Sequence, residues 1–180
     1  MLRPTKTLTL LLLLILAGGS GLAAVNLNLT FDYSLSPSTS PTTAPASDIT
    51  VKDVVTLDLS LLWRVDEKMK TGFGLALGTW PMQLDGGSVQ NKVLLDVYLA
   101  VSEYRVELKK GISFVLLGRG GFSSYDLKEW ATTVKVLAGF SFAFSNLELD
   151  VLAGLESRYF SLSKFLYSGY PVGMSLKFQF

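Results

Sequence analysis

Through most of this chain an apolar residue stands at every second position, and that period admits one local structure. Only an extended strand puts residues i, i+2 and i+4 on one side. The run Val172-Gly-Met-Ser-Leu-Lys-Phe-Gln-Phe180 states it most plainly. Val172, Met174, Leu176, Phe178 and Phe180 share one face, and Gly173, Ser175, Lys177 and Gln179 share the other. The same alternation predicts seven earlier strands: Ala24–Leu35, one within Ile49–Val65, Thr71–Trp80, one opening at Lys92, Ile112–Phe122, Ala131–Phe144 and Leu147–Phe160. The eighth is Pro171–Phe180. In the fourth strand the phase breaks near Ser102–Glu103, which a bulge or an earlier turn would explain.

The predicted connections alternate in length. The long ones are 36–48 (SPSTSPTTAPASD, which reads as a flexible Ser/Thr/Pro-rich loop), 81–91, 123–130 and 161–170. The short ones are Asp66–Lys70, Lys109-Lys110-Gly111 and the two-residue hairpin turn Ser145-Asn146. Such a rhythm is expected of a closed antiparallel up-and-down barrel of eight strands, with long loops outside the cell and tight turns in the periplasm.

Alternation alone does not decide which face lies inside, since a soluble lipocalin-like barrel also alternates. Three features favour apolar-out. The polar face is small in many strands, as in Gly72, Gly74, Ala76 and Gly78, which suits a narrow interior. The apolar face is uninterrupted for five or six positions, and ten tilted residues cover about 25 Å, the height of a lipid-facing band. Aromatics such as Tyr33, Trp63, Trp130 and Phe178 gather near segment ends, where interfacial girdles lie. The charges on the proposed inner face balance. Asp32, Asp58, Asp96, Glu148, Asp150 and Glu156 stand against Arg64, Lys92, Arg119, Lys135, Arg158 and Lys177. An unpaired buried charge is costly, so an ion-paired lumen network is expected, the alternative being that half of these groups sit at the rims in water.

Residues 1–23 read as a cleaved signal peptide. Arg3 and Lys6 precede the ten-residue apolar core Leu8–Ala17, and Gly21 and Ala23 give the small-x-small cleavage pattern. Ten residues are too few for a spanning helix, which needs about 20. The mature barrel domain is then 24–180. Cleavage removes two basic residues and no acid, taking the formal charge from +1 to −1. No basic surplus points to nucleic acid. With His 0 and Cys 0 the chain lacks the commonest general base and metal ligand and has no thiol chemistry, so neither a metal nor a cofactor is expected. Glu148 and Asp150 lie two apart on one face, and ion pairing accounts for them better than acid–base catalysis. Gly118-Arg-Gly-Gly121 lacks the helix a phosphate loop needs.

With these residues set out, the chain resembles the small outer-membrane β-barrels of bacteria, similar in size to the transmembrane domain of outer-membrane protein A and to the protein X group. The resemblance makes Val172, Met174, Leu176, Phe178 and Phe180 a C-terminal assembly signal read by the barrel-assembly machinery. It implies outer-membrane lipids as partners and leaves any extracellular partner unassigned. Enzymes of this class, the lipid A acyl-modifying enzymes, the omptin proteases and the outer-membrane phospholipase, resemble one another in using an active-site His, which this chain lacks. The leading expectation is a non-enzymatic envelope-structural or surface-interaction protein. Passive transport of small or apolar molecules and a soluble periplasmic binding barrel are the alternatives. Trp130, Phe165 and Tyr167 are read as a loop surface or as interfacial anchors.

Overall fold

The computed structural model describes residues 25–41, 49–145 and 147–179. The predicted signal peptide, residues 42–48 of the Ser/Thr/Pro tract, Asn146 and Phe180 lie outside the described residues. Within them are nine strands: β1 (Val25–Pro41), β2 (Ile49–Val51), β3 (Val54–Arg64), β4 (Met69–Leu84), β5 (Gln90–Lys109), β6 (Ile112–Tyr125), β7 (Glu129–Phe144), β8 (Leu147–Phe160) and β9 (Phe165–Gln179).

All pairings are antiparallel. Around the wall the order is β1, β3, β4, β5, β6, β7, β8, β9, and β9 pairs back with β1. β2 is a three-residue outrigger that continues β3 past a break at Lys52–Asp53 and pairs with β4. The wall is therefore a closed eight-stranded up-and-down barrel without free edges. Closure brings the strands close enough to demand glycine. A Cβ on Gly72 would stand 1.8 Å from the Leu61 carbonyl oxygen, and one on Gly139 would stand 1.9 Å from that of Val151.

The barrel is polar inside and apolar outside. On β1, Asn28, Thr30, Asp32 and Ser34 are buried while Leu29, Phe31 and Leu35 are exposed. On β3, Thr56, Asp58 and Ser60 are buried while Leu57 and Leu59, which alternate with them, are exposed. A soluble binding barrel would show the reverse, so that alternative fails on the placement of these charges.

Two sequence expectations need correction. First, the strands run further than the long connections allow. Residues 36–41 belong to β1 and Ser38–Pro41 pair with β9, with Pro37 inside the register shift between Leu35 and Ser38, where a missing N–H is tolerated. The other long connections contract to 85–89, 126–128 and 161–164, and Lys70 lies within β4. In β4, β7 and β9 the extra residues stay in strands because their inward side chains, among them Met82, Glu129, Phe165 and Tyr167, are buried inside the barrel. Second, the phase break in β5 is a bulge between Tyr98 and Ala100, earlier than Ser102–Glu103. The extra residue leaves both Leu99 and Ala100 exposed and turns Val101 and Glu103 inward.

Candidate functional site: a filled lumen

The end carrying connections 85–89, 126–128 and 161–164 is termed the loop end and the opposite one the turn end. From the loop end, the interior begins with an apolar plug of Trp80, Leu94, Phe160, Phe165 and Tyr167, joined by Val51, Val54, Met82 and Ala131. Phe160 and Phe165 stack at 4.5 Å, and the Trp80 and Tyr167 rings lie 4.7 Å apart. Phe165 and Tyr167 are thus core residues, not a loop surface, whereas Trp130 is exposed on the outer wall.

Beneath the plug is a buried ionic layer. Arg119 on β6 reaches across the lumen to Asp58 on β3 at 2.8 Å and Asp32 on β1 at 3.3 Å. Lys135 on β7 contacts Asp32 at 3.0 Å, Glu156 at 3.6 Å and Asp58 at 3.8 Å. Arg158 on β8 donates to Asp96 on β5 at 2.9 Å and lies 3.0 Å from Glu156. Its guanidinium is held 5.6 Å from the centre of Trp80 and 5.3 Å from that of Tyr167, which couples the plug to the ions. Hydroxyl donors take up further carboxylate valence: Tyr98 to Asp96 at 2.9 Å, Tyr167 to Glu156 at 2.9 Å, Ser123 to Asp96 and Ser34 to Glu156. The layer holds four carboxylates and three cations.

An apolar storey follows, built from Leu62, Val101, Val115, Leu117, Leu137 and Leu152. At the turn end a second ionic cluster closes the lumen. Lys177 on β9 reaches Glu103 on β5 at 2.6 Å and also bonds Asp150. Arg105 contacts Glu148 at 2.6 Å and Glu103 at 3.3 Å, and Lys70 stands 3.9 Å from Glu103. This cluster is neutral. It meets water through a small cleft of about 90 Å³ that Arg64, Asp66 and Lys68 help to line.

Of the twelve charged residues expected on the inner face, ten stand in these two clusters. Arg64, the last residue of β3, is exposed at the rim of the cleft. Lys92 lies beyond the plug and pairs with Asp126 at 3.3 Å. Sequence reasoning missed Glu103 and Arg105, because the bulge shifts their parity, and Lys70, which it placed in a turn. The signal available was the second phase itself: once Tyr104, Val106 and Leu108 are set outward, Glu103 and Arg105 must face in. Of the residues expected to form the C-terminal assembly signal, Val172, Met174, Leu176 and Phe178 are exposed on the outer face of β9.

Two carboxylates at the loop end fasten connections. Glu129 on β7 accepts the Leu162 and Ser163 N–H groups at 2.9 and 2.8 Å and the Tyr125 hydroxyl at 3.1 Å, and also binds the Ser163 hydroxyl. Asp126 accepts the Val93 N–H at 3.0 Å, and its own N–H donates to the Val93 carbonyl at 2.8 Å. The Val93 N–H, and then Lys92, hold the Asp126 carboxyl below the usual carboxylate range.

No family model and no curated protein matches the chain. Solved structures do. Neisserial surface protein A superposes with a TM-score of 0.55 at 14% identity, over 86% of this chain and 97% of that one. The outer membrane protein AlkL, determined in lipid bilayers, gives 0.51 at 11% identity, over 90% and 93%. At such identities the likeness is one of fold: this chain has the architecture of small outer-membrane β-barrels.

Proposed function

We propose that this chain, sharing its fold with small outer-membrane barrels, is an integral outer-membrane protein whose closed barrel serves as an envelope-structural or surface-contact element rather than as an enzyme. The observation that carries the reading is the inverted polarity. Leucines, valines and aromatics ring the outside while thirteen acids and bases pair within. In water the outer face would be a very large apolar patch; in a bilayer it matches its solvent, and each wall strand is paired with a neighbour on both sides, as a lipid environment requires of backbone polar groups. Export through a cleaved signal peptide and recognition of the Val172–Phe180 strand by the assembly machinery belong to the same proposal.

The non-enzymatic part rests on the commitment of the interior acids. Each carboxylate of the upper layer is engaged by a lumen cation under an aromatic plug that denies access from the loop end. The same filling supports a barrel that does not conduct, since an eight-stranded interior is just wide enough for side chains. Membrane fractionation with heat-modifiable gel migration, followed by planar-bilayer recording, tests both parts. A membrane-bound species that shifts on boiling and carries no current is expected. Recovery in the soluble fraction would overturn the membrane reading, and a reproducible open channel would overturn the closed lumen.

A further inference from the structure

Two hairpin connections at the loop end share one backbone shape but not one sequence. In the β4–β5 connection Asp85 (φ 47°) and Gly86 (φ 71°) are both left-handed, and the Gly87 N–H returns to the Leu84 carbonyl at 2.8 Å. Asp-Gly is the pair such turns prefer, since glycine takes positive φ without steric cost. In the β6–β7 connection Asp126 (φ 50°) and Leu127 (φ 55°) take the same left-handed shape, and the Lys128 N–H returns to the Tyr125 carbonyl at 3.2 Å. Leucine here stands where its neighbour has glycine. A branched side chain in that region is strained and persists only where its surroundings hold it.

The surroundings do hold it. The double tie between Asp126 and the Val93 backbone anchors the turn on β5. Leu127, 65% exposed, is thereby set against Leu77, Val93 and Leu95 on the outside of β4 and β5. The four side chains and Asp126 bound a groove of about 380 Å³. Its floor is the lipid-facing wall itself, with Val93 61% and Leu77 59% exposed, so the groove continues the apolar band to its loop-end margin. The exposed Lys128 follows at that margin.

We propose that this groove seats one acyl chain of an anionic membrane lipid, with Leu127 as its lid and Lys128 beside the headgroup phosphate. The occupant follows from continuity with the lipid-facing band and from the cation at its upper edge. The proposal rests on the membrane reading above. Glycine at 127 would relax the turn and remove the lid, so the leucine stands there against its local conformational preference.

Native mass spectrometry of the protein refolded in detergent and titrated with dioleoyl phosphatidylglycerol reads the site directly. One retained lipid is expected, bound better than dioleoyl phosphatidylcholine, while glycerol phosphate alone is not retained. Leu127→Gly should lower apparent lipid affinity about tenfold, the effect of losing one buried leucine side chain. Lys128→Gln should abolish the preference for the anionic lipid and keep chain binding. Leu155→Ala, on the outer face of β8, should leave retention unchanged. Equal retention by Leu127→Gly, no retained lipid on the native protein, or equal losses from Leu155→Ala would each overturn the seat. Failure of the native protein to enter vesicles in a separate flotation assay would instead count against the membrane reading.

Discussion

Lys135 shows how much one side chain carries inside a filled barrel. It contacts Asp32, Asp58 and Glu156, and so ties β7 to β1, β3 and β8. Lys135→Met would leave a layer already richer in carboxylates with two cations for four acids. Breaking a buried pair from one side costs about 3–5 kcal/mol, far more than the intact pair contributes against an apolar replacement. Urea unfolding in vesicles should report a loss of that size, and adding Asp58→Asn should recover part of it, because the two residues share one network. Leu127 predicts the opposite sign. Leu127→Gly should raise stability by about 1 kcal/mol in the same assay, by releasing a left-handed leucine. At this scale the sequence was informative where parity was regular. Asp32, Asp58, Asp96, Arg119, Lys135, Glu156 and Arg158 were all legible as inward because each sits in unbroken alternation. Arg64 and Lys92 had the right parity but stand beyond the last filled storey, and alternation carries no information on depth.

Elements were harder to bound than to detect. β1 continues through Ser38–Pro41 although its composition reads as loop, because pairing with Phe165–Ser168 satisfies backbone groups that composition does not register. Phe165 and Tyr167 look like loop aromatics for a related reason: Trp80, which packs on Tyr167, is distant in sequence and meets it only once the barrel closes, and Phe160 stacks on Phe165 only because β8 and β9 stay paired up to the 161–164 connection. Glu129 makes the consequence testable. It receives donors from Tyr125, Leu162 and Ser163, so Glu129→Ala should free the 161–164 connection and leave the barrel wall intact. Limited proteolysis should then nick that connection at a protease level the native protein resists, with the wall fragments still paired. The 126–128 connection gives a pH test. The Val93 N–H lowers the folded-state value of Asp126, so the tie is fully formed above the unfolded aspartate value of about 3.9 and is lost as pH falls through the lower folded value. The Val93 amide resonance should therefore hold steady from neutral pH down to that range and move only below it. A transition centred at or above the ordinary aspartate value would remove the tie.

At the scale of the whole molecule the lumen is a stack: apolar plug, ionic layer, apolar storey, ionic cluster. The order matters for conduction, because each storey blocks by a different means. The plug excludes water by packing, as its rings lie within 4.5–5.7 Å of one another. The ionic layer beneath blocks by cross-bracing, with Arg119 spanning from β6 to Asp32 on the opposite wall. A hydrated ion would have to displace pairs whose members are costly to separate in a dry interior. Removing the plug alone should therefore not open the barrel. Trp80→Ala takes away a ring that packs at a tilt on Tyr167 and faces Arg158, and should lower stability by about 3–5 kcal/mol, as large-to-small changes in packed cores do. Planar-bilayer recordings of that variant should still show no sustained current, because Arg158, Lys135 and Arg119 remain in register below. Trp80→Ala combined with Arg119→Ala removes the filling at two successive levels and cuts a brace between opposite walls. That pair is the smallest change expected to give intermittent conductance, with the second apolar storey and the turn-end ionic cluster left below. Sustained current from Trp80→Ala alone would mean that the plug is the sole seal and that the ionic layer beneath it is wet.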